Sequence, residues 1–369
     1  MRRAAFICSP ELWAHGHGPE HPLKPDRLKR TYELLQEIRA FDAPNVRLVE
    51  PRLATEPELA LFHTQEYIEV VRTLSRGQAD LPAWQYGFGP GDNPVFSGMY
   101  ESEALKAGGA IQAAEMLLAG TCDVAFNFSG GLHHAGPAGA SGFCVFNDAA
   151  VAIHWLLQQG LRVAYVDIDV HHGDGVQAAF YDTDQVLTIS LHQDPRTLFP
   201  GTGFAHETGE GKGRGYSVNV PLPPGTNDEA YLSAFRAIVP PMLERYNPDL
   251  IVTQLGVDTH FRDPLANLAL TTRGQLAVFQ ELNRLAPRWL ALGGGGYAVE
   301  VVPRSWTLAF GVMSGHSWPD ELPEGYRARY GGSWLNDHET PNISPRLRGQ
   351  IDQAVASVIS EVRRLHDLE

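Results

Sequence analysis

The sequence predicts an α/β fold in which helices cover both sides of a parallel β-sheet and the chemistry sits in loops at the carboxyl ends of the strands. Three observations predict it. Short apolar, β-branched runs alternate with longer helical patterns from one end of the chain to the other. Those runs are apolar nearly throughout rather than at every second residue, as strands buried on both faces require. Five unusual polar clusters each begin where an expected strand ends.

The expected strands are Ala4–Cys8, Cys122–Phe128, Arg162–Ile168, Gln185–Leu191, Tyr216–Leu222, Asp249–Leu255 and Arg288–Leu292. Between them the pattern predicts helices over Pro25–Ala40, Tyr100–Ala119, Phe146–Gln159, Asp228–Tyr246 and Thr272–Leu285. A last helix, from about Pro345 to Leu365, places Ile351, Val355, Val358, Ile359 and Val362 on one face. The Trp-, Pro- and Gly-rich stretch from His316 to Pro345 reads as a long surface connection. No repeat or low-complexity linker divides the 369 residues, so residues 1–369 read as one domain with a large core.

Composition narrows the setting. No uninterrupted apolar run is long enough to span a bilayer, so no membrane partner is expected. Met1-Arg2-Arg3 followed by Ala4 to Cys8 is basic then apolar. The apolar stretch stops at Ser9-Pro10 without a small-residue cleavage site, and a first strand is the better reading than a signal peptide. Cys8, Cys122 and Cys144 are an odd, widely spaced set with no CxxC, which argues against disulfides or a thiolate metal site and fits a reducing cytoplasm. A net charge of −14 offers no phosphate-neutralising surface, which argues against direct nucleic-acid binding. That charge serves solubility or attracts a cationic substrate, and composition does not choose between them.

The five clusters are Ser129-Gly-Gly-Leu-His-His134, Asp167-Ile-Asp-Val-His-His-Gly-Asp174, Ser190-Leu-His192, Gly256-Val-Asp258 and Gly293-Gly-Gly-Gly-Tyr297. Ligands of open parallel sheets bind outside the carboxyl ends of the strands, so the clusters read as one site. Asp169 and His171, two residues apart at a strand end, point the same way; with Asp258 as a distant third ligand they suit zinc with an open position. Helix capping would account for one Asp, but not for Asp167, Asp169 and Asp174 around two histidines. His133 and His134 suit a general base and acid, with Asp167 and Asp174 available to orient them. Gly293-x-Gly295-x-x-Ala298 is a weak match to a dinucleotide fingerprint but lacks the acidic residue of a following strand. The alternative is a backbone that passes close to a ligand while Tyr297 donates to an oxyanion. Glu210-Gly-Lys-Gly-Arg-Gly215 is no P-loop, because no Ser or Thr follows Lys212.

With these residues named, a family resemblance stands out. Gly131-Leu-His-His-Ala135, Asp167-Ile-Asp-Val-His-His-Gly-Asp174 and Gly293-Gly-Gly-Gly-Tyr297 resemble motifs of the zinc-dependent histone deacetylases. So do His21-Pro-Leu-Lys-Pro-Asp-Arg27, Gly142-Phe-Cys144 and Phe199-Pro-Gly-Thr-Gly203. The likeness runs in order from about residue 21 to about residue 315 and is strongest to the class I branch and the bacterial acetoin-utilisation deacetylases. His260, in Asp258-Thr-His260 followed by Asp263-Pro264, departs from that branch and resembles class II and acetylpolyamine enzymes.

The resemblance implies an arginase/deacetylase fold and a water-filled open position on zinc held by Asp169, His171 and Asp258, with iron(II) as an alternative metal. It implies that Asp167 backs His133, that Asp174 backs His134 and that Tyr297 faces the acyl oxygen. Phe143 and Phe199 resemble the walls of an acyl-lysine tunnel, with the Gly142 carbonyl beside them and Leu265 at the rim. Asp92, in Gly91-Asp-Asn-Pro94, matches a loop aspartate that holds the substrate backbone, and Arg27 an arginine lining an internal acetate channel. The resemblance also implies K+ or Na+ at an inner site (Asp167, Asp169, His171, Ser190, Leu191) and an outer one (Phe180, Thr183, Val186, Tyr216). The function implied is hydrolysis of an N-acetyl amide on a cationic substrate, acetyl-lysine in a protein or peptide. Rival readings are an acetylpolyamine amidohydrolase, a silent acyl-binding protein, and a binuclear manganese hydrolase. The last would want bridging aspartates where His172 and Thr259 stand.

Overall fold

The computed structural model describes residues 1–78 and 82–368. Eight strands form one sheet: β1 (Ala4–Ile7), β2 (Val46–Val49), β3 (Val124–Asn127), β4 (Val163–Asp167), β5 (Val186–Gln193), β6 (Ser217–Leu222), β7 (Leu250–Gln254) and β8 (Trp289–Leu292). Their spatial order is β2-β1-β3-β8-β7-β4-β5-β6, and every pairing is parallel. Parallel pairing follows from the connections, since long crossovers, α-helical in every case but the loop between β5 and β6, return the chain to the same edge.

The helices are α1 (Asp26–Glu37), α2 (Glu56–Leu59), α3 (Gln65–Ser75), α4 (Met99–Leu118), α5 (Asp148–Gln158), α6 (Asp174–Ala179), α7 (Asp228–Tyr246), α8 (Thr272–Leu285), α9 (Val302–Ser314), α10 (Glu324–Tyr330) and α11 (Pro345–Leu365). Alternate residues of one strand feed opposite layers. Phe6, Phe126 and Val166 enter the core under α1, α7, α8, α9 and α11, whereas Ala5, Ala125 and Tyr165 enter the core under α4 and α5. That two-sided burial is why β1, β3, β4, β7 and β8 are mainly apolar, with polar residues gathered towards their carboxyl ends. Helix starts are set locally: Asn147, Asn227 and Thr271 cap α5, α7 and α8 by accepting from backbone N–H groups two or three residues on. No helix among the described residues is long and apolar enough to cross a membrane.

Three expectations need correction. β2, on the sheet edge, was not expected; it pairs only with β1 and exposes Arg47 and Leu48, so it lacks the apolar run of a buried strand. β5 continues to Gln193, so Ser190-Leu-His192 lies within a strand rather than after one. The stretch from His316 to Pro345 is not simply a surface connection. It contains α10, and it buries Leu322, Tyr326, Leu335 and Asp337.

Candidate active site and metal centre

The carboxyl ends of β3, β8, β7 and β4 are contiguous in the sheet, and the loops that leave them meet. Asp169 and His171 follow β4, and Asp258 follows β7. One ligand atom from each lies within 4.8 Å of the others, and all three residues are buried. His171 Nδ1 stands 3.1 Å from Asp169 Oδ1 and 3.1 Å from Asp258 Oδ2. Ligands bonded to zinc at ~2.0–2.2 Å in a tetrahedron stand roughly 3.3 Å apart, so this spacing suits such an ion.

The remaining oxygens are committed elsewhere, which orients the ligands. Asp258 Oδ1 accepts from Val170 N at 2.9 Å; Asp169 Oδ2 accepts from Gln254 Nε2 at 2.5 Å and from Gly295 N at 2.8 Å. Burial and the neighbouring Asp169 push the Asp258 carboxyl up to about 8. Against its burial, His133 and His171 hold Asp169 well below the usual carboxylate range. The same two carboxylates overcome the burial of His171 and raise it to about 10. Two carboxylates so deeply buried require a cation between them, and a divalent metal ion supplies one without consuming a proton.

Beside the trio lie two histidine–carboxylate pairs. His133 Nδ1 donates to Asp167 Oδ2 at 2.8 Å and His134 Nδ1 to Asp174 Oδ1 at 2.7 Å, while the two Nε2 atoms face each other at 3.0 Å. Burial and the adjacent His133 lower His134 to about 4. Against its burial, Asp167 and Asp169 raise His133 to about 9. Two imidazoliums cannot share a 3.0 Å contact, so the pair holds one exchangeable proton between its Nε2 atoms.

The pocket above the trio is lined by Gly142, Phe143, His133, His134, Gly295 and Tyr297, with Arg27 and Leu23 at its inner end. Phe143 packs edge-on to Tyr297 at 5.7 Å, and Phe199 packs edge-on to His134 at 5.1 Å from the other side. Gly142 has φ +51, and a Cβ there would lie 2.4 Å from the His134 ring, so the wall needs glycine. Burial raises the Tyr297 phenol well above its ordinary pKa, which keeps it a neutral donor. Arg27 donates to the carbonyls of Gly294 at 2.7 Å and Gly296 at 3.2 Å, fixing the glycine turn as well as lining the pocket. Asp92 is exposed, and its carbonyl is held by His21 Nε2, whose ring packs on Phe143. Leu265 is half-buried, its amide tied to Asp263.

Among the residues expected to hold K+ or Na+, Asp167 and Ser190 are register partners on β4 and β5, next to Leu191. Ser190 Oγ donates to His192 Nδ1. Phe180, Thr183, Val186 and Tyr216 gather at the opposite, amino-terminal side of β5 and β6. His260 does not join the pocket; it is buried with Nε2 2.6 Å from Asp337 Oδ2.

Four supporting roles escaped the sequence reading. Gln254 holds Asp169 and accepts from Gly256 N. Asp148 accepts from the amides of Gly131 and Leu132 and so fixes the loop before the histidines. Asn147 donates to the carbonyls of His133 and Ala135. Asp263 accepts from Tyr297 N. Each works through backbone groups, and only the position of Asn147-Asp148 at a helix start offered a signal.

Comparison with known proteins decides the family. The profile of the histone deacetylase domain matches residues 21–313. The chain belongs to the histone deacetylase family. It is 43% identical over 339 residues to the acetoin utilization protein AcuC of Bacillus subtilis, covering 87% of this chain and 86% of that protein. It is 36% identical to histone deacetylase clr6 of Schizosaccharomyces pombe, covering 99% of this chain and 90% of that protein. The crystal structure of a histone deacetylase homologue from Aquifex aeolicus superposes with a TM-score of 0.86 at 33% identity, over 96% of this chain and all of that one. A homologue complexed with SAHA gives 0.90 at 33% identity over 98% of this chain and all of that one. This histone deacetylase family member is thus a hydrolase of the deacetylase type with a buried Asp-His-Asp metal site.

Proposed function

We propose that this deacetylase is zinc-dependent and that its substrate is acetyl-lysine in a protein or peptide. The observation that carries the reading is the buried Asp169–His171–Asp258 trio, whose Asp169 lines a pocket with Phe143, His133, His134 and Tyr297, while Phe199 packs edge-on to His134 and His171. Such walls suit an extended aliphatic stem and exclude water from around it. When bound, zinc supplies Lewis acidity, polarising the acyl oxygen and acidifying a water. His133 and His134 take the water proton at Nε2 and return it to the departing amine, with Asp167 and Asp174 fixing the rings through Nδ1. Tyr297 donates to the developing oxyanion.

The cavity behind the pocket, lined by His15, His17, Arg27, Lys106, Ser129 and Leu132, supports the assignment of Arg27 to an acetate exit. The pairing of Asp167 with Ser190 supports an inner K+ or Na+ site completed by Asp169, His171 and Leu191. The outer site falls to Phe180, Thr183, Val186 and Tyr216.

Acetylpolyamine hydrolysis is the second reading. The one residue resembling those enzymes, His260, faces Asp337 rather than the pocket, which weakens it. Turnover of acetyl-lysine peptides against acetylpolyamines, with metal analysis alongside, tests the substrate. Peptides should be preferred, and Asp92→Ala should cripple peptide turnover while affecting small acetylated amines less; far faster acetylpolyamine turnover would reverse the assignment. Asp258→Ala should lose bound zinc and activity together, whereas full activity in metal-free protein would remove zinc from the reaction.

A further inference from the structure

The turn that delivers Tyr297 consists of four glycines and has no side chains to hold its shape. Gly294 and Gly296 adopt φ +125 and +135, a region open in practice only to glycine. Its conformation must therefore be imposed by neighbouring groups. Arg27 grips the carbonyls of Gly294 and Gly296, and Asp169 grips the amide of Gly295. The amide of Tyr297 itself donates to Asp263 Oδ2 at 2.8 Å. The other oxygen of the same carboxylate, Oδ1, accepts from Leu265 N at 3.0 Å. Asp263 is 7% exposed, and its own amide donates to His260 O at 2.8 Å. One buried carboxylate thus ties the backbone of the phenol-bearing residue to the backbone of the pocket rim.

We propose that Asp263 is a positioning residue for deacetylation: it fixes Tyr297 for donation to the oxyanion and holds the Leu265 rim in register with it. A carboxylate is required because both amides need an acceptor. Asparagine offers one oxygen and one NH2, so one of the two amides would face a donor. The phenol would then lose its anchor while the metal trio, whose oxygens are held by Val170, Gln254 and Gly295, would remain intact. The proposal rests on the reading of Tyr297 as oxyanion donor.

The test measures kcat, KM and bound zinc for full-length Asp263→Asn, Tyr297→Phe and the double variant on one acetyl-lysine peptide. Asp263→Asn should keep its zinc and lower kcat by ~10–100-fold, the scale of a small misplacement of a reacting group, with KM changed far less. The double variant should be no slower than Tyr297→Phe alone, because a misplaced phenol that is absent can cost nothing more. Amide exchange over residues 294–299 should quicken in Asp263→Asn, and Asp263→Ser should behave alike if the asparagine variant does not fold. A normal kcat in folded, zinc-loaded Asp263→Asn beside a crippled Tyr297→Phe would overturn the proposal alone. So would losses that multiply in the double variant, or loss of zinc from Asp263→Asn. A normal kcat in Tyr297→Phe would instead overturn the reading of the phenol, and the proposal with it.

Discussion

On the proposed mechanism, Tyr297 joins the bulk of a wall residue to the chemistry of a donor. Its ring packs against Phe143 and stands 6.4 Å from the His171 ring, while its hydroxyl is the only atom that phenylalanine lacks. Replacing it by phenylalanine should therefore leave packing and affinity almost unchanged and lower kcat by ~10²–10³-fold, the cost of losing one oxyanion donor. Steady-state kinetics on the folded variant checks this, and a near-normal kcat would return the residue to a structural role. The metal trio and the histidine pair were legible because two ligands sit at i and i+2 and the histidines are adjacent, patterns that chance and helix capping explain poorly. Gln254 and Asp148 were not legible. An isolated polar residue at a strand end or in a helix's first turn has many ordinary uses, and its hydrogen bonds run to backbone that the fold brings close.

Most helices and strands with a two-sided or one-sided apolar pattern were readable, although α3 was missed despite burying Tyr67, Ile68, Val71 and Leu74 along one face. The α11 stripe is confirmed, with Ile351, Val355 and Val362 buried. In contrast, α9 buries most of its circumference and shows no polar face to mark a helical period. The stretch from His316 to Pro345 misled because its Trp, Pro and Gly content is that of a loop, yet Asp337 draws it inward. The Asp337 carboxylate receives His260 Nε2 at 2.6 Å, Arg304 Nη1 at 2.9 Å and Thr272 N at 2.8 Å. Removing it strands a buried cation and a buried imidazole. Asp337→Ala should cost about 3–5 kcal/mol in urea unfolding, the range for breaking a buried pair, and should loosen the 316–345 segment in hydrogen exchange. A loss below ~0.5 kcal/mol would show that the network carries no net stability.

Across the whole protein, several histidines are buried as neutral rings, and they link stability to pH. Burial lowers His63 to about 3, where its Nε2 accepts from Asn147 N, and lowers His192 to about 3, where it bridges Ser190 and Gly203. Their folded values lie below the unfolded ~6.5, so the stability they contribute is complete above pH 6.5 and is lost as pH falls towards 3. Each should cost about 2 kcal/mol between pH 6.5 and pH 5. Unfolding measured from pH 7 to pH 5 should show this decline, and His63→Gln, which keeps an acceptor for Asn147, should remove close to one proton from the slope. An unchanged slope would mean that His63 is not neutral in the fold.

The eight parallel strands sort the connections of the protein into two populations. Every turn bearing a metal-site residue, one of the paired histidines or the Tyr297 phenol leaves the carboxyl edge of β3, β8, β7 or β4; these strands are contiguous in space, although β5 and β6 separate β3 and β4 from β7 and β8 in sequence. Turns at the opposite edge, such as Gly160-Leu161 before β4 and Ala286-Pro287 before β8, carry none of these groups. The covalent order of the segments is therefore separable from the chemistry. A backbone opened at the amino edge keeps every reactive loop whole, whereas one opened at the carboxyl edge cuts the site itself. Circular permutants and two-fragment versions of this deacetylase belong at the amino edge of its sheet.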